Sequence, residues 1–302
     1  FGSSLQPRRA SHVRHAAAMS VATELAAGGV AGACGILATQ PLDTIRIRLQ
    51  SSPAMLGLQG AAPYSGILNC AMATARAEGL RGLYKGVASP TLTVGAMNAV
   101  LFFSYEWASR TLSAGRDGEA LTVSQVGMAG AAAGVASSFV TAPTELVKCI
   151  AQTNLKSEGR VYEEWLILRD MVKEHGLLGV HGPSRGLLMT ICRETPSFAL
   201  YFSFYEACCE RFGKEPAVSF LAGGFAGALA WASIYPLDVV KTRWQVARPG
   251  TYRSVLDCCR KSVAAEGAGV LWKGFGATMV RAWPQNAIIF CTYEGVKKKL
   301  GG

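Results

Sequence analysis

Nine side chains in this 302-residue sequence have types and spacing suited to holding or releasing charge. Six form three acid–base couples three residues apart: Asp43 with Arg46, Glu145 with Lys148, and Asp238 with Lys241. Each acid lies two residues after a proline (Pro41, Pro143, Pro236), and each couple is followed by a glutamine, Gln50, Gln152 or Gln245, nine residues after that proline. On a helix, i and i+3 positions share a face, so each couple presents both signs to one neighbour. The remaining three, Arg193, Glu194 and Arg281, stand inside otherwise apolar stretches. Charge inside a membrane span costs about 2.5–3.5 kcal/mol on insertion scales and marks a functional site by default. Arg193 and Arg281 each follow a glycine (Gly186, Gly274) by seven residues, and the equivalent place after Gly86 is Thr93. Three related points at one depth are suited to gripping a small solute.

The prolines lie 102 and 93 residues apart (143 − 41 and 236 − 143), so the chain reads as three tandem units, 21–115, 116–214 and 215–302, after a basic tail over 1–20. That tail has no acid and suits an amphipathic targeting segment or a basic disordered arm. Residues 25–42, 87–105, 120–144 and 216–237 are free of charge. An uncharged apolar run of about 20 residues crosses a bilayer core of about 30 Å. Spans are expected at 25–49, 87–109, 121–152, 187–210, from 216, and at 275–297. Six helices in three hairpins place all units in one orientation, with pseudo-threefold closure. A short amphipathic helix is expected near 65–78. Small residues, as in Ala129-Gly130-Ala131-Ala132-Ala133-Gly134, allow neighbouring helices to approach closely. Pro41 is expected to bend its helix.

Half of the residues are hydrophobic and only 17% are charged, against about 25% in soluble domains. The net charge of +10 is not a nucleic-acid signature: 18 of the 30 Lys and Arg fall in 46–85, 148–185 and 241–273, and only four in 106–119 and 206–215. That asymmetry is what the positive-inside rule describes. Nine scattered Cys without a CxxC point to neither zinc nor a disulfide framework. No His lies within a span, which leaves no Ser–His–Asp or metal arrangement for catalysis.

Three copies of P-x-[DE]-x-x-[KR] resemble the mitochondrial carrier family. In units one and three they are followed by [DE]-G-x-x-x-x-[FYW]-[KR]-G, as in Glu78 to Gly86 and Glu266 to Gly274. The second unit is irregular there. The resemblance covers about residues 20–300. It implies an all-α membrane protein: six tilted helices around a central cavity, short matrix-side helices, and solute exchange across the mitochondrial inner membrane by alternating access. It implies a transporter acting as a monomer, cardiolipin on the matrix side, and no other cofactor.

By the same resemblance, the matrix gate pairs Asp43 with Lys148, Glu145 with Lys241, and Asp238 with Arg46, braced by Gln50, Gln152 and Gln245. Exposed ion pairs are individually weak, so substrate binding can open such a ring. The opposite gate follows [FY]-[DE]-x-x-[KR]. Tyr293, Glu294 and Lys297 fit it. Tyr105-Glu106 and Tyr205-Glu206 keep the aromatic and the acid, but Ser109 and Cys209 replace the bases, so weak closure is expected there.

Between the gates, Arg193, Glu194, Arg281, Thr93, Val94, Met97 and Trp231 form the expected substrate site. Arginine can fork onto a carboxylate, and Glu194 can hold an ammonium. Pairing of Arg193 with Glu194 is disfavoured, because adjacent helical residues point about 100° apart. Arg193-Glu194-Thr195-Pro196 and Arg281 to Ala287 resemble the carnitine/acylcarnitine and basic amino acid branch. Met97 fits the carnitine type, whereas Gln40 stands where that type carries His. Trp231 and Trp283 could offer cation–π faces to a trimethylammonium or guanidinium. The expected function is exchange of a zwitterionic or cationic amino-acid-like solute. The alternative is a carrier fold retained as a structural subunit of an inner-membrane assembly.

Overall fold

A computed structural model of the chain describes residues 6–51, 64–114, 121–155, 161–176, 182–213, 215–247 and 250–299. Six long helices carry the architecture: α1 (Gln6–Gln50), α3 (Ala88–Ser113), α4 (Val123–Thr153), α6 (Leu187–Phe212), α7 (Pro216–Val246) and α9 (Phe275–Lys299). Three shorter helices, α2 (Ile67–Glu78), α5 (Val161–His175) and α8 (Val255–Glu266), connect the two members of each hairpin. The 26 residues of α3 extend about 39 Å at 1.5 Å per residue, enough to cross a bilayer core. The helices continue through Pro41, Pro143, Pro196, Pro236 and Pro284.

Among the described residues, three helical stretches are long and apolar enough to span by composition: Leu80–Ser113, Val123–Thr153 and Val218–Val246. Six spans were expected from the apolar runs. The apolar character of α6 and α9 is interrupted by Arg193, Glu194 and Arg281, the residues that make those helices interesting.

Local chemistry fixes the helix starts. Thr122 and Gln125 form a capping box before α4, with the Thr122 amide donating to the Gln125 side chain at 3.0 Å. Ser254 caps α8 by accepting from the Asp257 amide, and Pro216 occupies the first turn of α7.

The long helices form a ring in which α1 packs on α3 and α9, α4 on α3 and α6, and α7 on α6, with a smaller contact between α7 and α9 closing it. Small residues make the α4–α6 seam. A methyl at Gly134 would meet the Glu194 carbonyl at 2.7 Å, and one at Gly130 would meet that of Phe198 at the same distance. Gly86, Gly186 and Gly274 have positive φ (75°, 87° and 84°) and lie where the chain turns into α3, α6 and α9. Gly86 lodges against the Lys148 carbonyl and Gly274 against that of Arg46. The second long helix of each unit (α3, α6, α9) therefore starts against the charged end of the first long helix (α4, α7, α1) of the next unit.

Candidate functional site

The acid–base couples near the C-terminal ends of α1, α4 and α7 meet across the units. Lys148 pairs with Asp43, Lys241 with Glu145, and Arg46 with Asp238. Each pair joins one unit to the next, and three such links close the circle. Asp43, Arg46, Asp238 and Lys241 are all buried.

The glutamines divide. Gln50 donates to Asp238 at 2.9 Å and to the Tyr235 hydroxyl at 3.1 Å, so it reinforces the Arg46–Asp238 pair. Gln152 and Gln245 do not brace their pairs, contrary to expectation. Gln152 donates to the Thr44 hydroxyl at 3.2 Å and Gln245 to the Arg185 carbonyl at 3.2 Å. Both are drawn aside by the turns entering α3 and α6, which press Gly86 and Gly186 against these two side chains.

Arg193 and Arg281 correct the expectation of a substrate layer standing apart from the ring. Arg193, only 3% exposed, donates to Glu145 at 2.7 and 2.9 Å and to Asp238 at 3.0 Å. It also pairs with Glu194, against the 100° argument. The guanidinium sits at the end of a long stem and reaches back over its neighbour, which a comparison of Cα–Cβ directions does not capture. Arg281 pairs with Asp43. Asp43, Glu145 and Asp238 thus each hold two cations, one from the first long helix of a unit and one from the second.

A threefold rule explains which carboxylate each arginine takes. Arg281 of the third unit reaches the acid of the first, and Arg193 of the second reaches the acid of the third. By the same rotation the residue at 93 would reach Glu145. Thr93 is too short; its hydroxyl donates to the Ser89 carbonyl at 2.7 Å and lies 3.6 Å from the Met97 sulfur. Arg193 takes up that role as well, within its own unit.

The other expected substrate contacts are placed as follows. Val94 packs against α1, where a methyl on Gly32 would meet it at 2.9 Å, so its side chain belongs to a helix seam. Met97 is half-buried beside Thr93. Trp231 receives the chain's own Arg46 guanidinium 4.6 Å from its ring centre, with Arg193 at 5.9 Å. The face expected for a ligand cation is covered by protein cations when the ring is closed. Gln40 is fully buried and donates to the Lys85 carbonyl at 2.7 Å.

At the opposite end of the bundle, Tyr105 stacks on Phe202 with ring centres 4.3 Å apart, and Tyr205 lies parallel to Tyr201. Glu106 pairs with Arg110 on its own helix at 2.8 Å, and the pair is mostly exposed. Glu206 lines a cleft beside these rings. Tyr293 is on α9, and the side chains of Glu294, Lys297 and Trp283 fall outside the described residues.

Sequence reading missed a second layer of charge. Arg48, fully buried, holds Glu78 with two nitrogens and also donates to Thr74 at 3.0 Å and the Gln152 carbonyl at 3.2 Å; Lys85 completes the triad. Arg243, Glu266 and Lys273 repeat it in the third unit, with Arg243 donating to the Gln50 carbonyl at 2.8 Å. Burial opposes ionisation of Glu78 and Glu266, yet hydrogen bonds from these cations hold both below the usual carboxylate range. The signal was a base seven residues after Pro41 and Pro236. The second unit has Ile150 there. Its connecting helix is tied differently: the buried Glu164 carboxylate accepts from the Ala88 and Ser89 amides at 2.9 and 2.6 Å, capping α3 of the first unit.

The chain matches the family described as mitochondrial carrier protein over residues 17–116, 119–216 and 212–302. It is 37% identical to a mitochondrial carnitine/acylcarnitine carrier protein of Mus musculus over 286 residues, covering 91% of this chain and 93% of that one. It is 36% identical to a mitochondrial arginine transporter of Arabidopsis thaliana over 286 residues (92% and 91%). It is 35% identical to a mitochondrial basic amino acids transporter of Homo sapiens over 281 residues (90% and 88%).

Proposed function

This chain belongs to the mitochondrial carrier family and is a transporter rather than an enzyme, and on that premise we propose that it exchanges an amino-acid-like zwitterion or cation across the mitochondrial inner membrane. Carnitine esters and basic amino acids are the leading solutes. The transported molecule carries a carboxylate and, at some distance, an ammonium, guanidinium or trimethylammonium.

The observation that carries this reading is the charge composition of the closed ring. Five cations (Arg46, Lys148, Lys241, Arg193, Arg281) share four carboxylates (Asp43, Glu145, Asp238, Glu194). A solute carboxylate balances the surplus and competes with ring acids for Arg193 or Arg281. Its cationic end is matched by Glu194, released as Arg193 turns to the solute. A ligand that replaces ring contacts shifts the closed–open equilibrium by its differential affinity for the two states. The relatives' names favour the same solutes. The ring faces the matrix in this reading, and the cleft beside Tyr105 and Tyr205 faces the intermembrane side.

The test is exchange of labelled lysine, arginine and carnitine by the purified protein in liposomes. The expected result is uptake of at least one of the three, abolished by Glu194→Gln. Absence of exchange with all three in a well-folded preparation overturns the reading and leaves a structural role for the fold.

A further inference from the structure

We propose that the first and second units move as one body, and that the third unit swings against them when the ring opens. The inference rests on the function proposed above for its trigger, the capture of Arg193 and Arg281 by a solute carboxylate. Ties at both ends of the bundle join the first two units. At the ring end, Glu164 on α5 of the second unit reaches across to α3 of the first. Its buried carboxylate accepts from the Ala88 and Ser89 amides at 2.9 and 2.6 Å, where free donors and the positive end of the helix favour an anion. The repeats make this tie particular to one border. Glu164 stands two residues after Tyr162, and the residues two after Tyr64 and Tyr252 are Gly66 and Ser254. Gly66 has no side chain, and Ser254 caps its own helix by accepting from the Asp257 amide at 3.1 Å. Lys85 of the first unit adds a bond to the Asn154 carbonyl of the second at 2.9 Å. At the far end, Tyr105 on α3 stacks on Phe202 on α6, with ring centres 4.3 Å apart.

The solute arginines act on the other two borders. Arg281 of the third unit pairs with Asp43 of the first, and Arg193 of the second donates to Asp238 of the third at 3.0 Å. A solute that takes both arginines removes a bond from each border of the third unit. The Glu164 clamp and the Tyr105–Phe202 stack are untouched by that capture, as is the Lys148–Asp43 pair inside the two-unit body. The Arg46–Asp238 and Lys241–Glu145 pairs then carry the third unit without their neighbours, and they separate as it rotates. Arg243 keeps the Gln50 carbonyl at 2.8 Å and Arg185 the Trp244 carbonyl at 2.6 Å, near the ends of α1 and α7, as the pivots of the swing. Rotation of one rigid body about an interface is a common form of switching, and a ligand drives it by binding the two states unequally.

Double electron–electron resonance tests this on the purified protein. Nitroxides attached through p-acetylphenylalanine at the exposed positions Met72, Lys173 and Arg260 mark α2, α5 and α8, one in each unit, and leave the nine native cysteines unlabelled. Arg193→Gln/Arg281→Gln opens the ring without solute. The expected result is a shift of several ångströms in the 72–260 and 173–260 distances, with the 72–173 distance unchanged. Saturating lysine, arginine or carnitine, whichever is exchanged, should give the same pattern in the wild type. Adding Glu164→Ala should let the 72–173 distance spread as well. Should the double variant misfold, Arg281→Gln alone compares the 72–260 distance with the 72–173 distance. A 72–173 distance that changes as much as the other two overturns the two-body movement, even where exchange is measured in liposomes. So does the absence of any change both with solute and in the variants. If the variants show the expected pattern and none of the three solutes is exchanged, the two-body movement stands and the transport reading fails.

Discussion

Arg193 on α6 donates to Glu145 on α4 at 2.7 and 2.9 Å, joining two helices of one unit where symmetry calls for a link from the first unit to the second. The bond exists because Thr93 leaves Glu145 without a cation from α3. One guanidinium consequently supports two of the three ring carboxylates, since Nη1 reaches Asp238 as well. The closed ring is asymmetric in its dependence on single residues.

Removing Arg193 should hurt more than removing Arg281. Arg193→Gln strips support from Glu145 and Asp238 together, and Arg281→Gln from Asp43 alone. Loss of one partner of a buried pair costs about 3–5 kcal/mol. The expected outcome is a lower melting temperature for Arg193→Gln than for Arg281→Gln, with exchange reduced at least about tenfold in both. Equal melting temperatures would contradict the shared role.

Thr93→Arg should supply the missing arm. With a guanidinium at 93, Glu145 gains its symmetric partner and the closed state is favoured. A tenfold shift of that equilibrium corresponds to about 1.4 kcal/mol. A higher melting temperature with slower exchange is the expected pair of changes, and faster exchange with no gain in stability would refute it.

Exchanging the charges of one pair distinguishes an ion pair from two unrelated side chains. Asp43→Lys alone should inactivate, by placing it against Lys148 and Arg281. Adding Lys148→Asp restores one attraction and should recover measurable exchange. Rescue stays incomplete because Arg281 still faces the new lysine.

The α4–α6 seam has no room for a side chain at Gly134. A methyl there meets the Glu194 carbonyl and the Thr195 Cα at 2.7 and 3.0 Å, all backbone atoms. Overpacking of this kind costs about 1–3 kcal/mol. Gly134→Ala should lower the melting temperature and, by shifting Glu194, weaken solute binding. Gly28→Ala, where nothing lies within 4 Å, should be near neutral and serves as the control.

Acid should loosen the connecting segments. Glu78 and Glu266 titrate below their ordinary range in the folded protein. Groups depressed on folding contribute stability that is full above the unfolded value, about 4.3, and is lost as pH falls through the folded one. Melting temperature should therefore decline below about pH 4.3, and less steeply in Glu78→Gln/Glu266→Gln. An identical slope in the double variant would place the acid sensitivity elsewhere.

Much of the molecule was legible from residues alone. The three Pro-acid-base copies, the glycines that precede α3, α6 and α9 and the alternation of apolar and charged stretches set the element order, and the resemblance to mitochondrial carriers supplied the ring partners. Local spacing and repetition carry the order: i and i+3 positions share a face in any helix, whereas three copies allow either sense of cyclic pairing. Destinations of long side chains were decided only by packing. Arg193 and Arg281 end in the ring, Arg46 covers Trp231, and Val94 fills the groove at Gly32, because a flexible stem can reach several partners and burial selects among them. A sequence holds residue spacings but not the distance between α6 and α4. That distance, set by two glycines each against a carbonyl of α6, is what brings Arg193 to Glu145.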